Sequence, residues 1–153
     1  MEHLLSYIIF IPLVGAALVL LTPKAYEYLY KVLAVSSTGL TLLLTLFGLY
    51  LFDGTISPEI SGLDGLQLVE KSEWFSMSLG ALGTLSVDYF LGADGINISM
   101  LLLAAIVLFI GAISSCTIGE KRKAYFSLYL LLSTSVLGCF VALDFFLFYL
   151  FFE

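Results

Sequence analysis

Apolar and polar stretches divide the chain into five apolar runs and one long mixed segment. At ~1.5 Å per residue, a helix needs about twenty residues to cross a ~30 Å hydrocarbon core. The run LLSYIIFIPLVGAALVLL, residues 4–21, is long enough. Pro12 inside it predicts a kink and not a break, because membrane helices tolerate proline. A signal peptide would need a basic leader, and Glu2 and His3 stand there instead. The pattern predicts further spans over 32–52, 96–117 and 124–143, and a fifth apolar run over 145–153. The second span ends at Asp53-Gly54, a turn signal.

Residues 53–92 break the pattern. They hold Pro58, several glycines, Trp74 and the acids Asp53, Glu59, Asp64, Glu70, Glu73 and Asp88, against the single cation Lys71. A segment of about forty residues is too long for a featureless linker. A hairpin or short helices lying on the membrane face are expected, with SVDYFL (86–91) as a candidate strand and Trp74 as an interfacial anchor.

Composition strengthens the membrane reading. The chain of 153 residues is 61% hydrophobic and 12% charged, with a mean hydropathy of +1.09. Soluble domains are nearer half apolar and a quarter charged. The net charge of −6 reflects the acids of the 53–92 segment and implies no cationic partner. Cys116 and Cys139 lie in apolar segments without a CxxC neighbour and read as small buried hydrophobes. His3 has no ligand cluster around it. No Gly-rich phosphate loop, Ser/His/Asp set or basic nucleic-acid patch is present.

Charge sets an orientation. Of six Lys and Arg, Lys24 and Lys31 follow the first span and Lys121, Arg122 and Lys123 follow the third. Both loops fall on one side, and the positive-inside rule makes it cytoplasmic. The loops near 22–31 and 118–123 are then inside; the N-terminus, the 53–92 segment and Asp144 are outside. The three cations at 121–123 read as topology determinants, with phospholipid or subunit contact as a lesser role. Asp94 and Asn97 are expected to cap or turn the start of the third helix, and Ser99 could do the same or contact a neighbour. Ser133, Thr134, Ser135, Gly138 and Cys139 are small residues expected to let helices approach closely.

The stretch ALDFFLFYLFFE, 142–153, carries the candidate chemistry. Glu153 lies nine positions past Asp144, so a helix starting there places it ~13.5 Å inward, close to the bilayer midplane. A chain end at that depth would leave a carboxylate and backbone carbonyls without water, which predicts a fragment whose fifth helix is cut in half. An ionisable residue inside a membrane helix is by default a functional-site hypothesis. Burial pushes such a carboxylate toward its neutral form and a nearby cation pushes it back, which suits proton transfer. Glu153 is the candidate catalytic residue, and Asp144 is a secondary candidate whose simpler role is a helix N-cap.

DFFLFYLFFE (144–153) resembles the fifth-helix motif of the antiporter-like membrane subunits of respiratory complex I, with Phe152 in place of the family's Trp. YFLGADGINISMLLL (89–103) is similar to the family's LGxDGxS lead-in to the third helix, with Ala93 and Asn97 as variants, and QLVEKSEWF (67–75) to its Q-x-V-E…W stretch. The likeness covers essentially the whole chain and is nearest the M, or chain 4, branch. The Arg-Asp and Gly-Trp-Glu features of the L-type branch are missing. The resemblance implies a longer chain of about fourteen helices built from two inverted repeats. It implies that Glu153 faces a lysine on a later broken helix beyond residue 153. It also implies that proton movement is coupled to quinone reduction carried out in other subunits. NADH and quinone are then used by the whole complex, with no flavin, iron–sulfur cluster or other cofactor in this chain.

The resulting expectation is an all-α integral membrane protein with four complete transmembrane helices, the first half of a fifth, and an extramembrane segment at about 53–92. The whole forms part of a single multi-helix membrane domain. Its expected function is proton translocation as a membrane subunit of NADH:quinone oxidoreductase, in a bacterial inner membrane, with other membrane subunits and lipid as partners and no nucleic acid. The alternatives are a subunit of a related cation/proton antiporter or membrane-bound hydrogenase, or a four-helix structural or assembly membrane protein.

Overall fold

A computed structural model describes residues 3–23, 26–52, 66–78, 84–119 and 121–153. The elements run α1 (Leu4–Leu21), α2 (Glu27–Leu51), β1 (Gln67–Ser78), β2 (Thr84–Ala93), α3 (Gly95–Ser114), α4 (Arg122–Val141) and α5 (Phe145–Phe152), with a 3-10 turn, Ser115–Thr117, closing α3. Four of the helices are long and apolar enough to cross a membrane, which makes this an integral membrane protein. α1 packs against α2 and α4, α2 against α3, and α4 against both α3 and α5. α1 is an uninterrupted helix with Pro12 inside it.

α2 is built inside out compared with a helix of a soluble bundle. α2 buries Tyr30, Ala34, Thr38, Thr41, Thr45 and Gly48, spaced three or four residues apart along one stripe. Its opposite surface shows Leu40, Leu43, Phe47 and Tyr50. Lipid is as apolar as leucine, so helix association rests on small residues that allow close packing. The buried hydroxyls are satisfied within the helix: Thr38, Thr41 and Thr45 each donate to the carbonyl four residues back, at 2.9 Å. In α4, Ser133, Thr134 and Ser135 do the same; Ser133 and Thr134 are buried and Ser135 is half-buried. At Gly138 a Cβ would collide with the Phe151 ring, so glycine is what lets α5 lie on α4.

β1 and β2 form an antiparallel hairpin. Of the two expected forms, a hairpin or short helices, the structure has the hairpin, and β2 is longer than the 86–91 strand read from alternation. Three further boundaries differ from hydropathy. α2 begins at Glu27, not 32, because the Tyr30 side chain is buried and its hydroxyl donates to the Pro23 carbonyl at 3.0 Å, which winds the helix back past Lys31. α3 proper stops at Ser114 and tightens into the 3-10 turn. α4 runs 122–141, not 124–143, because Ala142 leaves the helix in extended backbone and bridges to Leu91, while the Leu143 N–H reaches the Phe90 carbonyl at 2.9 Å. Cys116 and Cys139 are free and half-buried, not fully buried. Lys24 and the Asp53-Gly54 turn lie outside the described residues.

The two core clusters sit at opposite ends of the bundle. One joins Leu5, Ile8 and Ile9 of α1 with Leu91, Leu101, Leu137 and Leu147 beneath the hairpin. The other joins Val19, Tyr30, Phe126 and Leu130 near the basic loops. The hairpin, the start of α1, the start of α3 and the α4–α5 junction therefore share one face.

Candidate functional site

α5 is positioned at its first residue. Asp144 is its N-cap: one carboxylate oxygen accepts the N–H groups of Phe146 at 2.8 Å and Leu147 at 3.1 Å, and the Asp144 carbonyl accepts from Phe148 at 2.9 Å. This is the capping role weighed for Asp144, and its carboxylate is engaged in it. Asp94 opens α3 in the same way, accepting from Ile96 at 2.9 Å and Asn97 at 2.6 Å. Asn97 is a partner of the cap through its backbone, and the Ser99 hydroxyl donates to the Gly95 carbonyl at 3.0 Å.

Glu153 follows the last turn of α5, its N–H donating to the Tyr149 carbonyl at 3.0 Å. Leu147 and Phe151 bury one face of α5 against the bundle. At about 100° per residue, Glu153 lies roughly 200° around the helix from Phe151. It falls on the face of exposed Phe146 and Tyr149 and is exposed itself. Among the described residues no Lys, Arg or His lies within ion-pair distance of Glu153, and none of their His, Cys, Asp and Glu groups could hold a metal ion. Asp144 and Glu153 thus stand at opposite ends of one short helix and do not form a pair.

Sequence reading missed the most elaborate polar constellation. Glu70, grouped with the acids of the outer segment, is buried under the hairpin. Its carboxylate accepts the Leu5 N–H at 2.7 Å, the Ser6 N–H at 3.2 Å and the Ser6 hydroxyl. With that proton committed, the Tyr89 hydroxyl donates to Ser6 Oγ across 2.8 Å. His3 Nδ1 lies 3.8 Å away and is exposed. Glu70 is therefore the helix cap of α1, supplied from the hairpin. Burial pushes the Tyr89 phenol above its ordinary value, and the Glu70 carboxylate nearby raises it further. The signal that could have found Glu70 is at α1 itself. His3 is the N-cap and makes no side-chain cap bond, so the first N–H groups need an acceptor from elsewhere. Register irregularities after Gln67 and Glu73, with Leu68 at a left-handed φ of 54°, aim Glu70 at α1.

On the opposite face the two basic loops meet. Arg122 pairs with Glu27 at 2.7 Å, Lys123 donates to the Thr22 carbonyl at 3.0 Å, and Lys31 donates to the Cys116 carbonyl. Lys31, Arg122 and Lys123, three of the cations used to orient the chain, lie together, across the bundle from the hairpin. Lys71 lies on the hairpin, paired with Asp88 at 3.1 Å. Trp74 is exposed on β1.

No family model matches the chain. Similar curated proteins do. The NADH-quinone oxidoreductase subunit M of Rhodobacter capsulatus is 33% identical over 157 aligned residues that include 100% of this chain and 28% of that protein. The subunit M of Rickettsia conorii is 31% identical over 98% of the chain and 29% of its own length. The NAD(P)H-quinone oxidoreductase chain 4 of Parasynechococcus marenigrum is 28% identical over 97% of the chain and 25% of its own length. The chain spans little more than a quarter of these relatives. Along its whole length it is a sequence relative of subunit M, or chain 4, of NADH-quinone oxidoreductase, as the motifs at 67–75, 89–103 and 144–153 implied.

Proposed function

We propose that the chain is part of a membrane subunit of NADH:quinone oxidoreductase and takes part in proton translocation coupled to quinone reduction, with electron transfer in other subunits. Whole-length similarity to proteins carrying the subunit M name is the observation that carries this reading. Four membrane-length helices and a capped fifth suit it. In this reading Glu153 is the proton-transferring residue. The Asp144 cap fixes the start of α5, and the helix delivers the carboxylate ~13.5 Å inward. Its position on the face away from Phe151 suits a cationic partner supplied from outside the described bundle, which would alternately stabilise and release the carboxylate charge. No redox cofactor is assigned to this chain. The cations at 24, 31 and 121–123 favour cytoplasmic basic loops, with the N-terminus and hairpin outside.

Affinity purification of the full-length protein from its native membrane tests the assignment. NADH-dependent quinone reduction and a flavin-containing partner subunit should co-purify with it. Recovery of the intact protein without either contradicts the proposal.

A further inference from the structure

We propose that the cavity between α1, α2 and α4, on the face of the basic loops, binds an anionic phospholipid. The cavity holds about 670 Å³, within the range of small-molecule sites. Its wall is divided by depth. Lys121, Arg122 and Lys123 stand at the mouth, and Leu20 and Leu128 line the cavity inside the spans of α1 and α4. Leu128 is five positions past Lys123 on α4, so ~7.5 Å deeper. Leu20 and Leu128 are 56% and 66% exposed. Cations at the rim with an aliphatic wall beneath match a phosphodiester headgroup and the upper part of its acyl chains.

The polar contacts decide the sign of the site. Glu27 is the acid among the described lining residues, and Arg122 neutralises it at 2.7 Å while its Nε donates to the Ile118 carbonyl at 2.9 Å. Lys123 donates to the Thr22 carbonyl, which holds the ammonium at the mouth without cancelling its charge. Lys121 has no ion-pair partner among the described residues. Among the described residues, Lys121 and Lys123 therefore carry no anionic side-chain partner at the cavity. A free phosphate would satisfy them and leave the leucines uncovered; a zwitterionic lipid would cover the leucines with a headgroup of no net charge. An anionic phospholipid does both. The site stands apart from α5 and does not depend on the role of Glu153.

The test uses the full-length protein in a neutral detergent. It is exposed to phosphatidylglycerol or phosphatidylcholine of matched chains, and retained lipid is counted by native mass spectrometry with inorganic phosphate as competitor. Phosphatidylglycerol should be retained preferentially, and phosphate should not displace it. Lys121→Gln/Lys123→Gln should lower its retention on the order of tenfold to thirtyfold, from the loss of two basic residues near the membrane surface. Lys121→Arg/Lys123→Arg should retain it, which separates loss of charge from misfolding. Equal retention of the two lipids, retention unchanged in the Gln variant, or displacement by phosphate overturns the site.

Discussion

The Glu70 carboxylate accepts the Leu5 N–H at 2.7 Å across 65 residues of sequence. This contact fastens the hairpin to the first turn of α1. The same hairpin holds the α4–α5 junction through the Leu143 N–H and the Phe90 carbonyl. The strand pair thereby connects the start of α1 to the start of α5. Glu70→Ala strands the Leu5 and Ser6 N–H groups and should cost about 1–3 kcal/mol. Glu70→Gln keeps an acceptor and should cost less. Thermal unfolding of the full-length protein in detergent checks the ranking, and equal stability of the three proteins would remove Glu70 as the cap.

Tyr89 gives the contact a pH dependence. Its phenol titrates above its ordinary value of 10.0 in the folded protein, chiefly through burial. A raised folded value means the stabilisation is fully present below pH 10.0 and is lost as pH rises through the raised value. Thermal stability should fall more steeply above that pH in the native protein than in Tyr89→Phe. Parallel curves would show that the buried phenol is not coupled to folding.

Gly138 controls the seat of α5. A methyl at this position collides with the Phe151 ring, and overpacking of this kind typically costs about 1–3 kcal/mol. Gly138→Ala should destabilise the protein and lower proton pumping by displacing α5. Adding Phe151→Leu should recover part of both. Failure of the second substitution to compensate would place the effect of the first somewhere other than this contact.

The proposed orientation makes opposite predictions for two exposed positions. In a background with Cys116 and Cys139 replaced by alanine, Glu73→Cys should react with an impermeant maleimide from outside the cell. Gly119→Cys should react only once the cytoplasmic face is opened. The reverse pattern would invert the topology. Arg122→Gln should leave both patterns unchanged and cost little stability, since exposed ion pairs such as Arg122–Glu27 contribute about 0–1 kcal/mol.

The spans and the two helix caps at Asp94 and Asp144 were legible in sequence, because each follows a local rule. A membrane helix needs about twenty apolar residues, and an Asp just before an apolar run can accept the first free N–H groups. Cation placement likewise foretold that the loops at 22–31 and 118–123 share a face, where Arg122 and Glu27 now meet. The cap on α1 was not legible, because its acceptor comes from a strand and its aim depends on irregular pairing around Leu68. The early start of α2 was hidden for a similar reason. Lys31 reads as a loop residue by charge, yet its ammonium reaches the Cys116 carbonyl across the bundle. Depth along an apolar run singled out Glu153 as the candidate, motif likeness implied its expected role, and its place on the outward side of α5 follows from Phe151 packing on Gly138.

The central claim is that Glu153 moves protons. The direct measurement is the number of protons translocated per electron pair by the whole complex in sealed vesicles, with Glu153→Gln in the full-length protein. Glutamine keeps the size and polarity of the side chain and cannot ionise. The ratio is predicted to fall while the complex still assembles; an assembled complex with an unchanged ratio would contradict the claim.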